Sequence, residues 1–324
     1  MPVKKIVYQP VDSLQSPRFS GVRTYMRLPH GQELEDADVA VFGVPFDTGV
    51  SFRPGARFGP AAIRDESSIL KPYCPLTDVN IFENISVLDY GDINTVPGYI
   101  EDSFQRIEAN MEDICRAGVI PVCMGGDHSI SLPLLRGLTK ALGTPVSLLH
   151  FDAHSDTIPG YFGQKYNHGT PFYWAIEEGL IDPEHSIQVG IRGPLYSKDA
   201  LDYPKNKGLE IITGPQLHEK GIDESVKAIR KRIKGQPVYV SFDVDFLDAA
   251  YAPGTGTPEI GGFTTHQALQ LMVRSCLGMD LKGMDLVEVM PAQDNAGITA
   301  LAGASLIHLF LALVAKGVES QSES

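Results

Sequence analysis

Apolar residues in this chain come in short continuous blocks rather than in strict alternation. The blocks are DVAVFGV (38–44), ISVLDYG (85–91), VIPVCMG (119–125), VSLLHFD (146–152), SIQVGI (186–191), LEIIT (209–213), PVYVSFD (237–243) and MDLVEVM (284–290). Unbroken apolar runs of this length mark strands that are covered on both faces. Between two of them Phe104, Ile107, Met111 and Ile114 step by three and four, the stripe of an amphipathic helix. Further helix starts are expected near Gly59-Pro60, after Asp127, near Asp223 and near Thr264. Strand and helix in alternation predict an α/β fold, a mainly parallel sheet of about eight strands with helices on both sides.

No repeat or low-complexity linker divides the chain, so a single domain is expected over 31–317. It is preceded by an irregular N-terminal arm (1–30) and followed by a flexible tail (318–324). The run ITALAGASLIHLFLALVA (298–315) approaches the roughly 18 apolar residues of a membrane span. It has no basic flank before it, and its small residues suit close packing, so it reads as a buried helix and no membrane partner is expected.

Composition narrows the function. A formal net charge of −13 disfavours nucleic acid or an anionic membrane as the main partner and leaves room for cations. Cys74, Cys115, Cys123 and Cys276 show no paired spacing and lie scattered, as in a reducing compartment. The start MPVKKIVYQP lacks the apolar core of a secretion signal, so a cytoplasmic location is expected.

The chemistry gathers where strands end. VIPVCMGGDHS ends in Asp127 and His128, VSLLHFDAHSD in Asp152, His154 and Asp156, and PVYVSFDVDFLD in Asp243 and Asp245. In open parallel sheets, ligands bind beyond the carboxyl ends of strands. Alternate strand residues point the same way, so Asp152 with His154, and Asp243 with Asp245, can aim at one point. His128, Asp152, His154, Asp156, Asp243 and Asp245 supply two imidazoles and four carboxylates. Carboxylates this close repel one another, and two divalent ions would balance their charge. Oxygen and imidazole ligands suit Mn²⁺, with Ni²⁺ the alternative, and two such ions can share and activate a water. Asp127 is read instead as a residue that orients loop backbone or ligand.

GGDHS, DAHSD and SFDVDFLDAAYAPGTGTPEIGG resemble the three metal motifs of the ureohydrolases, the arginases, agmatinases and guanidinobutyrases. GVPFDTGVSFRPGARFGPAAIR matches near the N-terminus, and the resemblance runs from about Asp38 to Gly317. It implies the arginase-like three-layer α/β/α fold, a binuclear metal site on the six residues above, and a trimer or hexamer. It also implies hydrolysis of a guanidino group to urea and an amine. By this resemblance His168 in NHGTPF is the proton-shuttling histidine, though by its residues alone it could equally cap the helix that follows. By the same resemblance Glu288 in VEVMPAQD would hold the guanidinium and Thr257 in GTGTP would lie on the substrate side, while on mechanistic grounds Asp156 is expected to accept a hydrogen bond from the attacking hydroxide.

Two departures are visible: Ala249 stands where the family has Pro, and Asn167 where agmatinases often carry an acid. Asn167 is expected to touch substrate and weakens the case for a cationic tail. The wall loop TIPGYFGQKYNHG (157–169) contains Lys165 and no acid, and Arg18, Arg23 and Arg27 of the arm could meet a carboxylate. The expected substrate is therefore 4-guanidinobutanoate or a similar linear guanidine. Agmatine and an alkylated biguanide such as metformin are the alternatives. Outside this class stand a single-zinc amide hydrolase and a catalytically silent metal-binding subunit.

Overall fold

Each apolar block becomes a strand in the computed structural model, which describes residues 6–322. The strands are β1 (Val39–Gly43), a short pair β2 (Tyr73–Cys74) and β3 (Val79–Asn80), β4 (Val87–Asp92), β5 (Ile120–Met124), β6 (Ser147–Phe151), β7 (Ile187–Ile191), β8 (Glu210–Thr213), β9 (Pro237–Asp243) and β10 (Asp280–Val287). Eight of them form one sheet in the order β4-β1-β5-β10-β9-β6-β7-β8, and every pairing in it is parallel. β2 and β3 pair antiparallel, outside that sheet.

The helices are α1 (Gly59–Ser67), α2 (Ile81–Asn84), α3 (Ile100–Arg116), α4 (Ser131–Leu142), α5 (Pro171–Glu177), α6 (Asp202–Asn206), α7 (Gly214–Ile233), α8 (Thr265–Cys276) and α9 (Ile298–Ser322). They cover both faces of the sheet, so two apolar cores form. One joins α1, α7, α8 and α9 to the strands. The other is built with α3, α4 and α5. β1, β6 and β7 are buried at every position, which is why their sequences are apolar without alternation. On α3 the expected stripe of Phe104, Ile107, Met111 and Ile114 is the buried face. α8 starts where Thr264 and Gln267 exchange side-chain and backbone hydrogen bonds as a capping box.

Some boundaries differ from expectation. α7 begins at Gly214, ahead of Asp223, but breaks at Gly221, whose φ of +77° is left-handed; a second helical stretch follows from there. β10 starts four residues earlier than its apolar run and stops at Val287, because Glu288 takes a φ of +65°. The tail expected to be flexible over 318–324 is helical as far as Ser322, with Lys316 and Glu319 paired at 2.6 Å; Glu323 and Ser324 lie outside the described residues. Apolar α9 is long enough to cross a membrane, yet 78% of its most apolar window is buried within the fold. The arm docks on the body where buried Tyr25 donates from its hydroxyl to the Ala304 carbonyl of α9 and from its N–H to Asp89.

Four neighbouring strands at the centre, β5, β10, β9 and β6, end on the same side. Their carboxyl ends deliver His128, Glu288, Asp243 with Asp245, and Asp152 with His154 and Asp156, respectively. The chain leaves β5 and returns at β6 with two later strands between them, so a crevice opens at their ends.

Candidate metal centre and active site

Backbone geometry sets the aim of each carboxylate. Asp243 Oδ1 accepts from Asp245 N at 2.8 Å, Asp245 Oδ1 from Ala153 N at 3.0 Å, and Asp152 Oδ1 from His154 N at 2.5 Å. Each is thereby anchored by one oxygen with the other turned to the centre. His128 Nδ1 lies 2.9 Å from Asp156 Oδ2, 3.1 Å from Asp152 Oδ2 and 3.4 Å from Asp243 Oδ2. His154 Nδ1 lies 3.0 Å from Asp245 Oδ2 and 3.6 Å from Asp152 Oδ1. The six sequence-selected side chains thus form two adjoining pockets that share Asp152. Asp156 reaches its place through a left-handed turn, φ +51°, an uncommon backbone state for a residue with a Cβ. Gly126, two residues before His128, must be glycine: a Cβ there would collide with the Phe46 carbonyl.

Protons show what the pockets are built to hold. Ser241 Oγ donates to Asp285 Oδ1 at 2.6 Å, so its remaining contact, 2.9 Å from His128 Nε2, must be as acceptor. His128 therefore carries a proton on Nε2, and in the neutral ring Nδ1 presents a lone pair to three carboxylates, which in the metal-free site favour a second proton there. Nδ1 is buried and has no hydrogen-bond partner among the described residues, and the same holds for Asp245 Oδ2 in the second pocket. A lone pair facing anions in a dry site is repulsive unless a cation lies between them. The donor set of imidazole nitrogen and carboxylate oxygen, without thiolate, fits divalent ions of the Mn²⁺ or Ni²⁺ kind.

Burial and the charges of Asp245 and Asp152 push the Asp243 carboxyl far above its ordinary range, and burial with Asp152 lifts Asp245 to about 6. Bound cations would reverse both shifts.

Several partners were missed from sequence. His150 sits on β6 two residues before Asp152 and is fully buried. Gln188 donates from Nε2 to His150 Nδ1 at 3.0 Å and to Ser155 O at 2.6 Å. That leaves Nε2–H of His150 to donate to Asp152 Oδ2 at 2.8 Å, so His150 orients Asp152 and offers the centre no lone pair. Asp285 backs His128 in the same way: it accepts from Ser131 Oγ at 2.7 Å, Tyr239 OH at 2.9 Å and Ser241 Oγ.

Beside the pockets lies a cavity of 190 Å³, whose walls include Asp156, Asp243, His168, Thr257 and Glu288. His168 Nδ1 is 3.1 Å from Glu288 Oε1, which also accepts from His128 N at 2.9 Å. Among the described residues both side-chain hydrogen bonds of Glu288 fall on Oε1. Burial works against a charged His168 ring, but the hydrogen bond and charge of Glu288 outweigh it and raise His168 to about 9. Asp127 keeps the backbone role expected of it. It accepts from Gly49 N at 2.7 Å and Ser129 N at 3.0 Å, and burial with the Glu288 charge lifts it to about 7. Asp248 likewise closes its loop on Ala250 N and Gly262 N, each at 3.0 Å, with Ala249 in place of Pro.

One expected contact is corrected. Asn167 is buried, its Oδ1 accepts from Gly169 N at 2.7 Å, and it does not line the cavity, so it holds the turn behind His168. Lys165 also turns away: its Nζ lies over the Trp174 ring at 3.8 Å and equally far from Glu178.

Central strand ends that converge on twin imidazole–carboxylate pockets, with a histidine–glutamate pair at the adjoining cavity, define an α/β/α protein with a ureohydrolase-type centre. Comparison with known proteins agrees. The chain belongs to the arginase family, whose profile matches residues 37–312. It is 41% identical over 313 residues to a guanidinobutyrase of Pseudomonas aeruginosa, covering 96% of this chain and 98% of that one. It is 44% identical over 309 residues to a guanidinopropionase of the same organism, covering 95% and 96%. The solved structure of proclavaminate amidino hydrolase from Streptomyces clavuligerus superposes with a TM-score of 0.89 at 38% identity, covering 93% of this chain and all of that one.

Proposed function

We propose that this protein hydrolyses a linear guanidino compound to urea and an amine, with 4-guanidinobutanoate or a close relative as substrate. The observation that carries the reading is the pair of buried, unpartnered ligand atoms, His128 Nδ1 and Asp245 Oδ2, in pockets that share Asp152 beside the Glu288 cavity. His128, Asp152, Asp156 and Asp243 would hold one divalent ion, and Asp152, His154 and Asp245 the other, Mn²⁺ first and Ni²⁺ as alternative. When bound, such ions acidify water and so supply a strong nucleophile at neutral pH.

The chain's own residues do the rest. A guanidinium carbon is a poor electrophile because its charge is delocalised, so it must be held rigidly over the attacking oxygen. Glu288 is the planar cation's partner: Oε1 is fixed by His128 N and His168, and Oε2 is left to the substrate. Asp156, in the cavity wall, accepts a hydrogen bond from the attacking water and orients it. The departing nitrogen leaves only as a protonated amine, and His168 is the proton donor within reach. Thr257 shapes the wall on the substrate side.

The tail assignment rests on what the cavity lacks. Its acids are Asp156, Asp243 and Glu288, all engaged at the reacting end. Its one arginine, Arg192, spends its guanidinium on backbone carbonyls, among them Asp245, Phe246 and Glu259. Tyr161, Leu195 and Tyr196 line the remainder, so an ammonium tail such as agmatine's would find no carboxylate. Neither Lys165 nor Arg18, Arg23 or Arg27 lines the cavity, so the support for a carboxylate tail is the missing acid, not those cations; relatives of like identity include both guanidino-acid hydrolases and agmatinases. A cytoplasmic homo-oligomer, trimeric or hexameric, is part of the proposal.

The test is urea release by protein loaded with Mn²⁺ or with Ni²⁺, across guanidinobutanoate, guanidinopropionate, arginine, agmatine and metformin. The reading expects the guanidino acids to lead. A far higher kcat/KM for agmatine overturns the tail argument, and no urea from any of them overturns the activity.

A further inference from the structure

We propose that Ser51 positions His168 and forms the first step of its proton path into the cavity, an inference that rests on the guanidine-hydrolase reading above. The loop that carries Ser51 is pinned at both ends. Asp127 holds Gly49 N at 2.7 Å, and buried Asp47 holds Gly55 N at 2.7 Å. A Cβ at Gly49 would sit 2.8 Å from Ser129 Oγ, so the loop lies tight against the strand end that carries His128. From this loop two separate contacts reach His168. Gly49 O accepts the His168 N–H at 3.0 Å, and Ser51 engages ring Nε2 with its own N–H at 3.1 Å and its Oγ at 2.6 Å.

These contacts assign the protons. A backbone N–H can only donate, so it matches an Nε2 that bears a lone pair. The neutral ring then carries hydrogen on Nδ1, where Glu288 Oε1 accepts it at 3.1 Å. When Nε2 gains a proton, the backbone N–H no longer fits, but the Ser51 hydroxyl does, because it can accept as readily as donate. One residue therefore serves both protonation states of the ring. Ser51 lines the cavity together with His168 and Glu288. The transfer balances: the Nε2–H bond breaks as a new O–H bond forms at Ser51 Oγ, while the original hydroxyl proton moves to the departing nitrogen. His168 returns to neutral, Ser51 regains its starting composition, and the amine leaves protonated. The charged groups facing the ring are Glu288, Asp156 and Asp127, and all of them favour the proton's arrival rather than its release. The hydroxyl supplies the way out.

The test uses the full metal-loaded chain and Ser51→Ala and Ser51→Thr, with urea release from guanidinobutanoate. Loss of a relay to a general acid is expected to lower kcat by about tenfold or more in Ser51→Ala, with KM within about threefold, and to move the limb of the pH profile that belongs to His168. Ser51→Thr, which keeps the hydroxyl, is expected to recover most of the loss. Wild-type kcat and pH profile in Ser51→Ala would overturn the relay. A second readout needs no turnover: imidazole nitrogen NMR of metal-free wild type at about pH 10, where the ring is neutral, should show the proton of His168 on Nδ1. A proton on Nε2 would overturn the positioning. If wild type releases no urea from any guanidine, the activity reading fails, and the NMR result still tests whether His168 has the tautomer that the Ser51 contact requires.

Discussion

Asp285→Asn removes one charge from behind the metal centre while leaving its shape in place. Asp285 is buried and accepts from three hydroxyls, and one of these, Ser241 Oγ, holds His128 Nε2. Asparagine keeps the volume and one acceptor oxygen but not the negative charge. The links from Asp285 to Ser241 and from Ser241 to His128 are 2.6 and 2.9 Å. With the width of the ring added, the carboxylate stands at most about 8 Å from the Nδ1 lone pair, where a unit charge at an effective dielectric of about 20 is worth ~2 kcal/mol. That falls within the roughly 10- to 100-fold loss of metal affinity, about 1.4–2.8 kcal/mol, typical when a ligand's outer partner is removed. Calorimetric titration of Mn²⁺ into chelator-stripped wild type and variant, at one pH and ionic strength, reads the effect. One of two binding steps should weaken by that factor, while the step on the His154–Asp245 side changes by less than about threefold. Tyr239→Phe, which removes one hydroxyl from the same carboxylate without touching the Ser241 link, should weaken binding far less. Unchanged affinity for both ions in a variant that melts like wild type would refute the argument.

Three further outcomes follow from the same geometry. His168→Asn should lower kcat by about 10²–10⁴-fold with little change in KM, since the imidazole acts on the leaving nitrogen and not on binding; steady-state kinetics with guanidinobutanoate checks this, and a KM effect alone would contradict it. Stripping both ions should lower the melting temperature, and Mn²⁺ at about 100 times its Kd should restore ~2.7 kcal/mol per site; a melting curve indifferent to metal would mean the pockets hold none. In the metal-free protein, despite burial, the Glu288 hydrogen bond raises His168 to about 9. Relative to the unfolded value of about 6.5, a raised imidazole stabilises the fold in full below about pH 6.5 and loses that contribution as pH climbs through about 9. Denaturant melts across that window should show a decline that His168→Gln abolishes, and parallel slopes in the two proteins would count against the pairing.

Much of the fold was legible because it rests on local physics. A strand covered on both faces has no polar side to show, so each block from DVAVFGV to MDLVEVM announced its strand, and the α3 stripe announced the face it buries. The six ligand candidates were legible for a related reason. Ionised side chains at the end of an apolar run need compensation, and a period of two aims Asp152 with His154 and Asp243 with Asp245 together. His150 was also within reach: it shares the parity of Asp152 on the same strand, but it stands inside VSLLHFD, which reads as one apolar block. Asn167 shows the opposite error, since a position beside His168 in sequence turned out to face its own turn.

The amino-acid sequence by itself determined the class of the protein: an α/β chain whose strands end in a caged pair of charge clusters, with His168 and Glu288 as candidates for the chemistry. Only the tertiary structure decided who stands behind those residues. Ser241 and Asp285 fix the proton of His128 across separations of 113 and 157 positions, and Ser51 meets His168 across 117. No periodicity links such positions. They meet because β1, β5, β10, β9 and β6, drawn from distant parts of the chain, lie side by side in the sheet, and hydrogen bonds read distance in space rather than along the backbone.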